Sequence, residues 1–160
     1  MGDPSDDLFE AEIRGHHSMR DHLLDLLTDA ELSFALPGRN PTLAGLLVEL
    51  GHLQGVYSHS FATFDLDWDH VEVEPPDRST VAAFRTWFGV QDAAMKAALE
   101  RLSDADLRAE RIDRGDGFVA SPFVQHQIYR EAVYIFYGKA SVYLRALEID
   151  AGPSWAAWIG

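Results

Sequence analysis

The chain has 160 residues, with 26 acidic against 13 basic side chains, a formal net charge of −13 and no cysteine. That length is expected to form one domain, residues 1–160. The acidity opposes binding to nucleic acid or anionic lipid, which would both repel it. The absence of cysteine excludes disulfides, thiolate nucleophiles and thiolate-ligated metals.

Hydrophobic residues make up 47% of the chain, enough for a real core. The opening MGDPSDDLFEAEIR has no apolar stretch of a secretory signal, and no apolar run approaches the roughly 18 residues of a membrane span. The expectation is a cytoplasmic protein with neither a membrane nor a nucleic-acid partner.

Four long helical segments are predicted. The first spans Asp6–Leu32, with Ser5 as N-cap and a stripe of Phe9, Ile13, His16, Met19, Leu23, Leu26 and Leu27 at three- and four-residue spacing. Leu36-Pro37-Gly38-Arg39 is the following loop. The second opens at Asn40-Pro41, an N-cap followed by proline at the first helical position, and runs to Phe64. Leu43, Leu46, Leu47, Leu50, Leu53, Tyr57, Phe61 and Phe64 form one of its sides. Its other side presents Gly45, Val48, Gly55 and Val56 around His52 and His59, and reads as the floor of a pocket.

Asp65–Ser79 is an acidic connection containing Pro75-Pro76, long enough to cross between helices and of a length often tied to function. The third helix is expected over Thr80–Leu102, with a core line of Val81, Phe84, Phe88, Gln91, Met95, Ala98 and Leu102. A short capped turn follows at Ser103. The turn Arg114-Gly115-Asp116-Gly117, flanked by Glu110–Ile112 and Phe118–Ala120, predicts a small hairpin. Ser121-Pro122 starts the fourth helix, which ends near Leu147, with a core line of Val124, Ile128, Ala132, Ile135, Val142 and Ala146. The fold class is therefore all-α: a four-helix bundle with a long crossover after the second helix and a short accessory hairpin.

Candidate chemistry centres on His52 and Glu131. His52 and His59 are seven residues apart, so they share a face but are too far apart to share one ion. His52 is the stronger candidate, as a metal ligand or proton shuttle; the alternative is a histidine hydrogen-bonded to a neighbour. Glu49 and His52 form a single ExxH, which lacks the second copy a di-iron bundle needs. Glu131 falls between Ile128 and Ile135, where a carboxylate must be paired, protonated or metal-bound. Lys139 is near the same line. His16 reads as a satisfied core histidine, with His17 and His22 off the stripe, His70 in the acidic loop and His126 on a polar, exposed side. Tyr134, Tyr137, Arg130, Ser141 and Arg145 suggest a homodimer surface. No GxSxG, HExxH or phosphate-binding loop is present.

The stretches LAGLLVELGHLQGVYSHSF (43–61), ALERLSDADL (98–107) and FYGKASVYLRAL (136–147) resemble the DinB/YfiT-like superfamily of bacterial four-helix bundles. The resemblance implies a divalent metal, such as Zn or Ni, bound by a second-helix histidine that His52 matches. Two more histidines are implied on the fourth helix in an HxxxH, before a glycine and a YLR stretch matched here by Gly138 and Tyr143-Leu144-Arg145. Those ligand positions hold Ala132 and Phe136, and Tyr137 and Lys139 replace the arginine and glutamine that flank the glycine. Activities implied by the resemblance are metal-dependent thiol transfer or isomerisation. With two ligands missing, the expectation is a degenerate metal site, no cofactor, and a non-catalytic or small-ligand-binding homodimer. The alternative is a thiol transferase or hydrolase-like enzyme using His52, with Glu131 beside it, in a rearranged site with or without a metal.

Overall fold

The computed structural model describes residues 4–159 and, for side chains, all of these except 4–10 and 12. The expected positions of Ser5 and Phe9 lie outside the described side chains. The elements are α1 (Pro4–Leu26), α2 (Leu43–Thr63), α3 (Val81–Leu99), α4 (Asp104–Ala109), β1 (Ile112–Asp113), β2 (Val119–Ala120), α5 (Pro122–Ala146) and α6 (Gly152–Ile159). The four long helices form the bundle, and the predicted fourth helix is α5. None is long and apolar enough to cross a membrane.

Local chemistry sets the ends. Thr42, Thr80, Ser103 and Ser121 each accept a hydrogen bond from the backbone N–H three residues on, which satisfies a donor the helix cannot. The α2 start is therefore Thr42 rather than Asn40. The Pro41 carbonyl accepts from the Tyr143 hydroxyl at 2.8 Å, and Ala35 bridges to Thr42, so the chain is held extended up to the cap. The first helix likewise ends early, at Leu26. Thr28 and Glu31 form a capping box that starts a separate 3-10 turn over Asp29–Ser33. Asp29 then accepts the Val81 N–H at 2.8 Å and ties that turn to the start of α3.

A single apolar cluster runs through the bundle: Leu23 and Leu24 from α1, Leu43, Leu47 and Phe61 from α2, Phe84 and Phe88 from α3, and Val133, Ala140 and Leu144 from α5. Trp155 of α6 closes one side against Tyr137, with ring centroids 5.6 Å apart. The hairpin pairs Ile112 with Ala120 and Asp113 with Val119, as its turn signal predicts. The carbonyl of Asp113 accepts the Leu66 N–H, joining the hairpin to the crossover.

The side of α2 that reads as a pocket floor is partly covered: Gly55 and Val56 are buried, while His52 stays exposed. A Cβ on Gly51 would stand 2.1 Å from the Trp87 ring, and one on Gly55 would stand 3.0 Å from Cβ of Glu72 in the crossover. Glycine is what lets α3 and the crossover approach this closely. Gly51→Ala is expected to cost about 1–3 kcal/mol by overpacking. Gly89→Ala, on α3 with nothing within 4 Å of its Cβ position, should gain up to about 1 kcal/mol from helix propensity. Urea unfolding of the two variants checks the contrast.

Candidate functional site

The fourth-helix core line is rotated from its expected position. Gln125, Tyr129, Val133, Phe136, Ala140 and Leu144 face the core, whereas Val124, Ile135 and Val142 are exposed. One residue of helix is about 100°, so the change moves polar groups inward. Tyr137 is buried and donates to the His16 carbonyl, and Tyr134 stands edge-on to the His16 ring at 5.4 Å. Tyr137 is thus withdrawn from the expected dimer surface, while Tyr134 is half-buried. His126 is fully buried, contrary to its expected exposure, and so is His17.

A permanently charged group, Arg20 of α1, is buried to 1% exposure. A guanidinium has five N–H donors and cannot shed its charge. Here Nη1 donates to Gln54 Oε1 (3.1 Å) and Asp92 Oδ1 (2.9 Å), Nη2 to Asp92 Oδ2 (2.7 Å) and Asp21 Oδ1 (2.7 Å), and Nε to Asp21 (3.0 Å). The Phe88 ring lies 4.5 Å from the guanidinium carbon, a cation–π contact. Gln54 Nε2 returns to Asp92 at 2.7 Å.

His17, one helical turn earlier, extends this network. Its Nδ1 is 2.9 Å from Asp92 Oδ1 and its Nε2 is 2.7 Å from the Tyr129 hydroxyl. Burial, reinforced by Arg20, pushes the imidazole below its ordinary pKa against the opposing pull of Asp92. The neutral ring satisfies both contacts in one tautomer: Nδ1–H donates to Asp92, and Nε2 accepts from Tyr129. Burial favours a protonated Asp92, but hydrogen bonds from His17 and Arg20 outweigh it and hold the carboxyl well below the usual range. Burial raises the Tyr129 hydroxyl far above its ordinary value, so it stays a donor.

A hollow of about 370 Å³ opens between α1 and α3 beside this network. Ile13, Met95 and Leu99 supply apolar walls, and His17, Asp92, Asp21, Arg14 and Lys96 line the rest. A second polar group lies further along the bundle. Arg114 of the hairpin donates to Gln125 Oε1, and Gln125 Nε2 donates to Ser60 at 2.9 Å.

His52 is elsewhere. It is exposed, and its Nε2 meets the Trp68 carbonyl of the crossover at 2.9 Å. His59, on the same face, stacks on His70 with centroids 4.0 Å apart, and His70 pairs with Glu72 at 3.0 Å. The two α2 histidines thus hold the crossover down. Glu131 is exposed on α5 rather than near the core, and Lys139 pairs with Glu49 at 3.7 Å. No contact among the described residues joins His52 to Glu131. Phe136 is buried and shares a hollow with Leu50 and Leu53, and Ala132 is beside it. The metal that the resemblance implies therefore finds one exposed imidazole, a methyl group and a phenyl ring, and these do not fit it. Among the described residues no group of three histidines, aspartates or glutamates could hold an ion.

This backbone arrangement matches a known architecture. The crystal structure of a DinB-like protein from Bacillus subtilis (YjoA) superposes with a TM-score of 0.73, covering 91% of this chain and 95% of that one, at 14% sequence identity. The chain has the DinB-like fold. No protein-family model and no curated protein matches the sequence. The DinB-like bundle is thus retained, with a buried Arg20–Asp92–His17–Tyr129 network inside it that sequence reasoning missed. The signal was there in Arg20 and His17, each three or four residues from a stripe position of α1, but an α-helical arginine reads as solvated until its partner is known.

Two outcomes are expected. Asp92→Ala strips the buried guanidinium of its bidentate partner and should cost about 3–5 kcal/mol. Arg85→Ala, which breaks an exposed pair with Asp25, should cost less than about 1 kcal/mol by the same urea titration. Burial also pushes His16 and His126 down to about 4, with Arg130 nearby adding to the effect in both. The unfolded chain then takes up protons near 6.5 that the folded chain refuses. Stability is full above that pH and is lost as pH falls from 6.5 towards 4. Melting curves across this window should show the loss, and His126→Gln should make it shallower.

Proposed function

We propose that this chain is a non-catalytic DinB-like bundle that binds a small polar ligand in the hollow between α1 and α3, without a divalent metal at the position its family resemblance implies. The observation that carries the reading is that Asp92 connects a closed internal network to an open hollow. Its carboxylate is held charged by Arg20 and His17, and about a third of its side chain remains exposed. A charged group fixed in place on an apolar wall is a common way to orient a small ligand. The mixed lining favours a molecule with an apolar body and at least one charged or hydrogen-bonding end.

Catalysis has less support. Both nitrogens of His17 are engaged and Tyr129 is fully buried, so this network offers no free general base. The exposed His52 is bonded to the crossover backbone, and the positions that should complete its metal site are apolar.

Ligand-detected NMR with a library of small amphiphilic acids, amines and zwitterions tests the reading, followed by shift mapping. Shifts are expected around Ile13, Met95 and Leu99, and should disappear in Ala93→Trp, which fills the hollow without touching the network. Binders mapping elsewhere, or none, would contradict the proposal. Metal analysis of the purified protein is expected to give no stoichiometric divalent ion, and near-stoichiometric zinc or nickel lost in His52→Ala would overturn the metal-free part.

A further inference from the structure

The rotation of α5 leaves an apolar line on its outer side. Val124 is 41% exposed, Ile135 64% and Val142 49%, with Ile128 half-buried between them. These positions lie within about 40° of one another around the helix. Glu131 and Lys139 flank the line at equal distances on either side of Ile135, and Ala132 and Gly138 do so one step closer. Ile135 itself is one residue from the midpoint of the 25-residue helix.

The pattern is self-complementary. A twofold axis through Ile135 and perpendicular to α5 brings a second copy of the helix in antiparallel, so that residue levels mirror about 135. Ile135 then meets its own copy, and Ile128 stands at the level of Val142 of the second copy. Glu131 stands at the level of the second copy's Lys139, and Ala132 at that of its Gly138. Apolar levels face apolar, opposite charges face each other, and small residues allow close approach where the helices cross. Two recesses between α2 and α5 flank the line: one of about 220 Å³ formed by Glu49, Leu53 and Phe136, and one of about 380 Å³ beside Val142 and Tyr143.

We infer that α5 is the interface of a symmetric homodimer whose axis passes through Ile135. A second copy is the occupant that fits. The net charge of −13 repels another copy over most of the surface. On this line the acid at 131 stands at the level of the second copy's Lys139, whose ammonium is also 3.7 Å from Glu49 of its own chain. A basic partner would be drawn to the acidic surface at large and would have no reason to select an apolar stripe. The interface is on the opposite side of α5 from Tyr137, and it leaves the hollow between α1 and α3 open, so it stands or falls independently of ligand binding.

Because the chain has no cysteine, one introduced thiol reports the axis. Ile135→Cys is expected to form a disulfide-linked dimer on mild oxidation, while Val90→Cys, exposed on α3, stays monomeric. Sedimentation equilibrium at about 100 µM, where association follows protein concentration, should give twice the 17.9 kDa chain mass. Ile135→Arg should weaken the dimer roughly tenfold or more with an unchanged melting curve of the monomer. A wild-type monomer at that concentration overturns the inference. So does a dimer that survives Ile135→Arg, or one that oxidises as readily through Val90→Cys.

Discussion

A charged guanidinium buried in the middle of a helical bundle constrains everything around it. Arg20 cannot neutralise itself, and each unmet N–H in a low-dielectric interior would be costly. Its satisfaction draws on three helices at once: Asp21 from α1, Gln54 from α2 and Asp92 from α3. Asp92 then has lone pairs left for His17, and His17 has a second nitrogen left for Tyr129 of α5. The four long helices are thereby held in one register by directional contacts, where an apolar core alone would tolerate sliding. A buried ion pair is weak evidence for net stability, but a network this complete fixes geometry.

The crossover gives the bundle its second constraint. Gly51 and Gly55 allow Trp87 and Glu72 to approach α2 closely. His52 Nε2 donates to the Trp68 carbonyl, and the Trp87 indole donates to the Val73 carbonyl at 3.1 Å. Residues that look like an open pocket lining are thus the seat of a covering segment. On the neighbouring side of α2, Phe136 packs against Leu50 and Leu53 in a shallow hollow that offers Glu49 and Lys139 but no imidazole at the position of the missing ligands. The two features agree. The DinB-like fold is kept, with one charged network in its interior built on His17, Arg20, Asp92 and Tyr129.

Much of the architecture was legible. The caps at Ser103 and Ser121, the hairpin turn at 114–117 and the crossover all follow from local residue chemistry, and local chemistry is strongest at element ends. The phase of α5 was not legible. Ile128, Ile135 and Val142 make as regular a stripe as Tyr129, Phe136 and Tyr143, and periodicity cannot choose between two apolar stripes on one helix. What decides is the partners of the polar atoms: the Tyr129 hydroxyl needs His17, the Tyr143 hydroxyl needs the Pro41 carbonyl, and Gln125 needs Ser60. Those partners are tens of residues away or more in sequence. The candidate pair of His52 and Glu131 failed to meet for the same reason. Glu131 was placed inward by the wrong stripe, and His52 was assigned to a pocket although its partner is the Trp68 carbonyl of the crossover, at an exposed edge.

The account turns on a neutral His17 held between Asp92 and Tyr129 inside the bundle. Nitrogen-15 NMR of the histidine rings, with His17 assigned by its loss in His17→Gln, measures this directly. The account predicts a neutral ring at pH 7 with its proton on Nδ1, slow to exchange with water, and Nε2 unprotonated and accepting. A charged imidazolium at neutral pH, or a fast-exchanging proton on Nε2, would contradict it.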